Sequence, residues 1–307
     1  MEKFELYILG CGAALPTPHH FCSSQVLNVR EKLFMIDCAE GTQIQLRRSK
    51  LKMQNIHNIF ITHLHGDHCF GLPGLLSTMA LLGRTAKMDV WGPTGLKELF
   101  QAQIDFFCAG MTFDVELHEV DHRKGEQIYE DRSLSVSTLP LRHRVPCVGY
   151  LFEEKPLLPH IRRDAIDAFG IPVSQINNIK AGMDWTTDDG EVIPNHLLTT
   201  PADPTRSFAY LSDTMYVPEL ADRLQGVSLL YHEATFSKEH ELLARQNFHS
   251  TAAQAGMMAK LANARQLLIG HFSSRYKDES VLLNEAKETF PNTIAATEGM
   301  VIKITDN

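Results

Sequence analysis

Thr62-His63-Leu64-His65-Gly66-Asp67-His68 places three imidazoles and a carboxylate within seven residues. That density points to metal chemistry, since imidazole and carboxylate together suit zinc and other divalent first-row ions. The spacing divides the group in two. If the segment leaves a strand over Asn58 to Thr62, His63 and His65 fall on one side of an extended chain, because side chains alternate with period two. They can then hold one ion together. Gly66 permits a bend, so Asp67 and His68 are re-aimed toward a second position before an apolar helix that begins near Gly71. The chemistry expected is that of a two-metal hydrolytic centre.

Such a centre needs more donors, and three stand just beyond apolar, strand-like runs: His143 after Ser133 to Leu139, Asp213 after Phe208 to Ser212, and His271 after Gln266 to Gly270. Charge and reach assign His63, His65 and His143 to one ion, Asp67, His68 and His271 to the other, and Asp213 as a bridge with one carboxylate oxygen on each. Ions about 3.5 to 4 Å apart would lower the pKa of a water between them, and Asp67 would orient that water and accept its proton. Downstream, His249 precedes Ser250 and Thr251, either of which can cap a helix. Glu233 is the carboxylate expected to hold the His249 ring and raise its pKa, making it a proton donor to a leaving group. His232 is read as structural. So are His19, His20, His57, His118, His122, His160, His196 and His240, which have no partner pattern in the sequence.

These residues must be positioned by something, and the chain supplies strands and helices in alternation. Strands are expected over Phe4 to Leu9, Gln25 to Val29, Leu33 to Asp37, Ile59 to Thr62, Met88 to Trp91, Ser133 to Leu139, Val148 to Phe152, Ser207 to Ser212 and Ser228 to His232. Helices are expected over Thr42 to Ser49, Leu72 to Leu82, Thr94 to Cys108, Lys238 to Gln246, Ser250 to Ala262 and Glu279 to Phe290. This order predicts a layered α/β sandwich. The stretch Glu153 to Thr205 breaks the rhythm, with six prolines interrupting every long element. It reads as an inserted, partly ordered arm with helical spacing at Ile161 to Phe169 and a hairpin turn at Thr187 to Glu191. From Lys155 to Thr205 four basic residues face seven acidic ones, so its charge does not advertise RNA.

Bulk properties exclude some classes. No apolar run approaches the roughly 20 residues of a membrane span, and the chain enters its first strand at Phe4, so neither signal peptide nor anchor is expected. Six cysteines without a Cys-X-X-Cys pair fit a reducing compartment, with the cytoplasm as the default. A net charge of -8 argues against a generic polyanion binder, without excluding a local basic patch.

With the donors in hand, the chain resembles the metallo-β-lactamase superfamily, and within it the ribonuclease Z family. Beyond the His63 to His68 cluster the likeness rests on Ile8 to Pro16 (ILGCGAALP), Ile36 to Leu46 (IDCAEGTQIQL), Gly71 to Leu76 (GLPGLL), Leu211 to Thr214 (LSDT), His232 to Phe236 (HEATF), His249 to Gly256 (HSTAAQAG) and His271 to Tyr276 (HFSSRY). The resemblance implies an αβ/βα four-layer sandwich over residues 1–307, two zinc ions per subunit and a homodimer. Manganese is also compatible with such ligands. It further implies that residues 153–205 are an arm that grips precursor tRNA, and that a phosphodiester is cut beyond the discriminator nucleotide, leaving a 3'-hydroxyl on tRNA and a 5'-phosphate on the trailer. Ser273 and Arg275, beside His271, and Lys180 in the arm are the candidate substrate contacts. A metallo-phosphodiesterase or exonuclease acting on small diesters or other RNA is the alternative on the same scaffold. A non-catalytic RNA-binding subunit is a third reading, which the full donor set opposes. Two stretches depart from the family pattern. Many relatives carry Pro-X-Lys-X-Arg-Asn after the opening glycines, associated with avoiding tRNA that already bears CCA. Here the residues are Pro16-Thr17-Pro18-His19-His20-Phe21, so that discrimination is not carried over. The arm has only Gly170-Ile171-Pro172 and Ile179-Lys180-Ala181-Gly182 in place of a lysine-rich Gly-Pro signature.

Overall fold

The computed structural model describes residues 2–306. Apolar residues occupy both faces of most strands, the pattern of sheets covered on both sides, and the chain resolves this into two seven-stranded sheets. The first runs Val301–Lys303, Phe4–Gly10, Ser24–Val29, Lys32–Cys38, Ile56–Phe60, Met88–Pro93, Val115–Val120. The second runs Thr293–Ala295, Gln266–Gly270, Leu229–Glu233, Ser207–Leu211, Val148–Glu154, Leu134–Pro140, Gln127–Glu130. Phe4, Leu6, Ile8, Phe34, Ile36 and Phe60 join Tyr150, Phe152, Phe208 and Tyr210 of the second sheet in one core. Their alternate neighbours Leu9, Val26, Met35 and Ile59 pack instead with the helices Leu72–Leu81 and Leu96–Phe107. Helices Ala252–Leu261 and Ser280–Thr289 cover the second sheet. The result is the αβ/βα four-layer sandwich.

Strand direction gathers the chemistry. In the first sheet Lys32–Cys38, Ile56–Phe60 and Met88–Pro93 are mutually parallel. In the second, Ser207–Leu211, Leu229–Glu233 and Gln266–Gly270 are parallel too. Asp37, His63, Asp213, Glu233 and His271 all lie at or just past the carboxyl ends of these strands, where open α/β sheets place their ligands. Asp37, Asp213 and His271 turn there with φ of 55°, 53° and 59°, a left-handed conformation costing a non-glycine residue about 1–2 kcal/mol. Such local strain persists only where the surroundings over-determine it.

Several sequence expectations shift at the edges. The strand before the histidine cluster ends at Phe60, so Ile61 and Thr62 already belong to the site loop. The expected helix over Lys238 to Gln246 splits into a single 3₁₀ turn and the short helix Glu241–Gln246. Gly66 does not make a left-handed bend; it opens the short helix Gly66–Cys69, which re-aims Asp67 and His68. Glycine is required at Gly71, where a Cβ would sit 2.1 Å from the Ala39 carbonyl oxygen.

Residues Glu154–Thr205 make a second compact unit. Helices Arg163–Ala168, Val173–Lys180 and Asn195–Leu198 and two small antiparallel pairs, His160–Ile161 with Thr199–Thr200 and Trp185–Thr186 with Val192–Ile193, compose it. The second pair flanks the Thr187 to Glu191 turn. Ala165, Ile171, Ile179, Ile193 and Leu198 form an apolar core of the unit's own.

Candidate metal centre

Two donor groups meet in the sandwich unit. In the first, His63 Nε2 lies 3.0 Å from His65 Nδ1, which is 3.4 Å from His143 Nε2. Asp213 Oδ2 stands 3.6 Å from His63 Nε2 and 3.9 Å from His143 Nε2. In the second, His68 Nε2 is 3.3 Å from His271 Nε2, and Asp67 Oδ2 is 3.6 and 3.7 Å from those two nitrogens. Asp213 Oδ1 faces this second group, 3.2 Å from His68 and 2.9 Å from His271. One carboxylate therefore presents one oxygen to each group.

The remaining ring nitrogens decide what the inward ones can do. A carboxylate oxygen can only accept, so His68 donates its Nδ1–H to Asp37 Oδ2 at 2.7 Å. A carbonyl likewise only accepts, so His143 donates its Nδ1–H to Phe248 O at 3.2 Å. The Thr62 hydroxyl is given to Asp37 and accepts from His63 Nδ1 at 3.1 Å. The Thr235 hydroxyl is given to Glu233 and accepts from His271 Nδ1 at 2.9 Å. Four histidines thus turn the lone pairs of Nε2 inward, facing one another and two carboxylates. The Nε2 lone pairs of His68 and His271, 3.3 Å apart, repel unless a cation lies between them, and His65 Nδ1 lies within 3.4 Å of the Nε2 atoms of His63 and His143, so the donor set fits divalent metal ions.

Charge in the cluster follows burial and neighbours. At His63 burial prevails, reinforced by His68, and the imidazole pKa falls well below its ordinary value. At His271 burial is overcome by Asp213 and by hydrogen bonds to Asp213 and Asp67, pushing the value up to about 10, so that where no cation sits among the donors a proton on Nε2 takes its place. Asp213 is held far below the carboxylate range, because His271, His68 and His63 outweigh its burial.

Beside the cluster, His249 Nδ1 lies 2.9 Å from Glu233 Oε1, and its ring stacks at 5.5 Å from that of His271. Glu233 is fully buried, yet His249 keeps its pKa below the ordinary value. The Thr214 amide at 2.6 Å also donates to it. Burial disfavours the His249 cation, but Glu233 overcomes this and raises its pKa. Thr251 caps the following helix through a full capping box with Gln254. His232 is buried, with Nδ1 on the Glu233 carbonyl at 2.8 Å and Nε2 without a partner.

A pocket of about 380 Å³ exposes the cluster, lined by Asp67, His65, His143, Asp213, His249, His271 and Ser273. Arg275 is exposed, its guanidinium 5.8 Å from the centre of the Phe236 ring at the pocket edge. Lys180 belongs to the other unit, in the last turn of Val173–Lys180. Three participants were missed in the sequence. Asp37 orients His68 and Thr62; it too ends an apolar strand, the signal that marked Asp213. The Ala14 amide donates to Asp67 Oδ2 at 2.7 Å, which no side-chain pattern reveals. Arg144 lines the pocket one residue past His143.

The two-sheet sandwich, with its histidine and aspartate clusters at the strand ends, defines a metal-dependent hydrolase of the metallo-β-lactamase type. Residues 197–272 match the model of the beta-lactamase superfamily domain, and residues 4–104 match that of the anti-Pycsar protein Apyc1. A curated protein of Bacteroides thetaiotaomicron named Ribonuclease Z is 56% identical over 304 residues, covering 99% of this chain and 96% of its own length. Its namesake in Porphyromonas gingivalis is 50% identical, covering 99% of this chain and 100% of its own length. The human tRNase Z short form superposes with a TM-score of 0.71 at 27% identity, covering 98% of this chain and 99% of that one. The chain belongs to the ribonuclease Z family of hydrolytic endoribonucleases.

Proposed function

We propose that the protein removes the 3' trailer of precursor tRNA by hydrolysing one phosphodiester, leaving a 3'-hydroxyl on the tRNA and a 5'-phosphate on the trailer. The observation that carries the reading is Asp213, whose two oxygens face two separate donor groups. His63, His65 and His143 would hold one ion, Asp67, His68 and His271 the other, and Asp213 both. Two zinc ions, or manganese in their place, would supply Lewis acidity toward phosphate and water.

The chain's own groups supply the rest. Asp67, fixed by the Ala14 amide, orients the attacking water and takes its proton. His249, gripped at Nδ1 by Glu233, has Nε2 left to protonate the departing 3'-oxygen. Its raised pKa favours the protonated ring that this role needs. Ser273 at the pocket wall contacts the substrate backbone, with Arg275 at the edge. The unit Glu154–Thr205, with Lys180, binds the tRNA body, and in a homodimer one subunit's arm serves the other's metals. No helix among the described residues is long and apolar enough to cross a membrane, and the proposed site of action is the cytoplasm.

Purified protein is incubated with a tRNA carrying a 3' trailer, with zinc or manganese supplied. A single cut beyond the discriminator, with a 5'-phosphate on the trailer, is expected. Absence of any endonucleolytic product refutes the reading, and a higher kcat/KM on a small diester favours the phosphodiesterase alternative.

A further inference from the structure

A second groove opens from the active-site pocket. Its volume is about 730 Å³ against about 380 Å³ for the pocket, and the two share His143 and Arg144 on their walls. Arg123 and Arg142 stand in the groove, and Phe248, the residue before His249, forms part of its lining. The charges there are loosely committed. Arg142 lies 3.7 Å from Glu219 with both side chains more than half exposed, and Arg123 reaches Asp121 at 3.1 Å. Arg144 makes no ion pair among the described residues. Three guanidinium groups against two carboxylates leave a positive groove on a chain whose net charge is -8. The Arg142–Glu219 pair, exposed on both sides, holds little free energy, so a phosphate can displace Glu219.

We propose that this groove holds the RNA strand immediately 5' of the cleaved bond. Arg123, Arg142 and Arg144 neutralise its phosphates, and Phe248 offers a surface on which an unpaired base stacks. The side follows from His249. As donor to the departing 3'-oxygen, His249 faces the half of the substrate that keeps that oxygen, which is the tRNA half. Phe248 and the groove continue from His249, so the nucleotides leading up to the cut enter there. The inference rests on the reading of the site as a tRNA 3'-endonuclease and adds to it which strand lies where.

The test uses precursor tRNA carrying three neutral methylphosphonate linkages, placed either just 5' or just 3' of the cut, with the wild-type protein and an Arg123→Ala/Arg142→Ala variant. Both arginines are surface residues outside the catalytic machinery, so turnover of a small diester stays unchanged. For the wild type, neutral linkages on the 5' side lower kcat/KM by about tenfold, the size expected from a few lost phosphate contacts. The variant has already lost those contacts and shows less than a threefold further loss. Linkages on the 3' side lower both proteins by the same factor. An equal loss in both proteins from the 5' linkages overturns the assignment, as does coupling of the variant to the 3' linkages. Failure of the wild type to cut the unmodified precursor is a separate outcome that overturns the underlying reading along with it.

Discussion

Two groups of imidazole and carboxylate touch the N-terminal segment Cys11 to Ala14, one through the Ala14 amide and the other through Cys11, and they solve the same charge problem differently. In the donor cluster, ring nitrogens face ring nitrogens at 3.0 to 3.4 Å, and their outer nitrogens are spent on Asp37, Thr62, Thr235 and the Phe248 carbonyl. At His20 one ring lies between two carboxylates, Nε2 at 2.9 Å from Glu279 and Nδ1 at 3.0 Å from Glu298. The Glu298 carboxylate also accepts from the Phe21 amide at 2.9 Å, and Cys11 Sγ lies 3.5 Å from it. There the imidazole is itself the cation. The hydrogen bond to Glu298, followed by that to Glu279 and against burial, pushes its pKa up to about 9. Nearness of histidine, cysteine and carboxylate is common to both places. What separates them is where the inner nitrogens point: in the donor cluster they share one space with the nitrogens of other rings, whereas both nitrogens of His20 are spent on carboxylates and no second imidazole among the described residues faces it.

The sharpest way to break this contrast is to substitute one residue from each group. Asp213→Asn is expected to lower kcat on precursor tRNA by at least about a thousandfold, as loss of an electrostatic anchor for metals and transition state would do, and to reduce bound metal measured by mass spectrometry. His20→Gln keeps the metal content and stays within about tenfold of wild-type kcat, since it touches neither donor group. Equal metal loss in the two variants would erase the distinction.

His249→Ala separates proton donation from metal holding. We expect a fall in kcat of about a hundredfold or more, in the range of a lost general acid, with KM and metal content near wild type. If metal is lost as well, His249 is a ligand. The arm contrasts with both groups, because its proposed contribution is to binding. Deleting Pro172 to Pro194 should raise KM for precursor tRNA by about tenfold or more while changing a small diester by less than about twofold, the signature of lost remote binding. Equal effects on the two substrates would assign the segment to folding.

The smallest expected effect is on stability. The His20 pKa is raised in the folded protein from 6.5 to about 9, so its contribution is fully present below about pH 6.5 and is lost as pH rises through about 9. Melting curves of wild type and His20→Gln should differ by a few degrees at pH 6 and converge above pH 9.5, given that about 1 kcal/mol moves Tm by about 2–4 °C in chains of this size. A gap that is constant with pH would show that His20 acts by packing rather than by charge.

Much of the donor cluster could be read in the sequence because its members obey local rules. His63 and His65 alternate along an extended chain, and Asp213 and His271 each follow an apolar strand. Partners joined only by the fold could not be read that way. His20 meets Glu279 and Glu298 across 259 and 278 residues, and no spacing announces such a pair. His118 shows no partner in the sequence for the same reason, yet lies 2.7 Å from Asp89 on the neighbouring strand. The strand Val115–Val120 was missed because Glu116, His118 and Glu119 dilute its apolar character at a sheet edge. Thr293–Ala295 and Val301–Lys303 are three residues each, too short for any period to register. In the arm, helix Val173–Lys180 was hidden by polar Ser174, Gln175, Asn177 and Asn178, with Ile179 its buried member.

We propose that the donor cluster takes two cations bridged by Asp213, whereas the His20 cluster takes none. Anomalous scattering at the zinc edge from crystals of the zinc-loaded protein tests it directly. Two peaks, one on each side of the Asp213 carboxylate, with no peak among Cys11, His20 and Glu298, are the predicted result. A single peak at the donor cluster, or any peak at His20, would overturn the two-cation assignment.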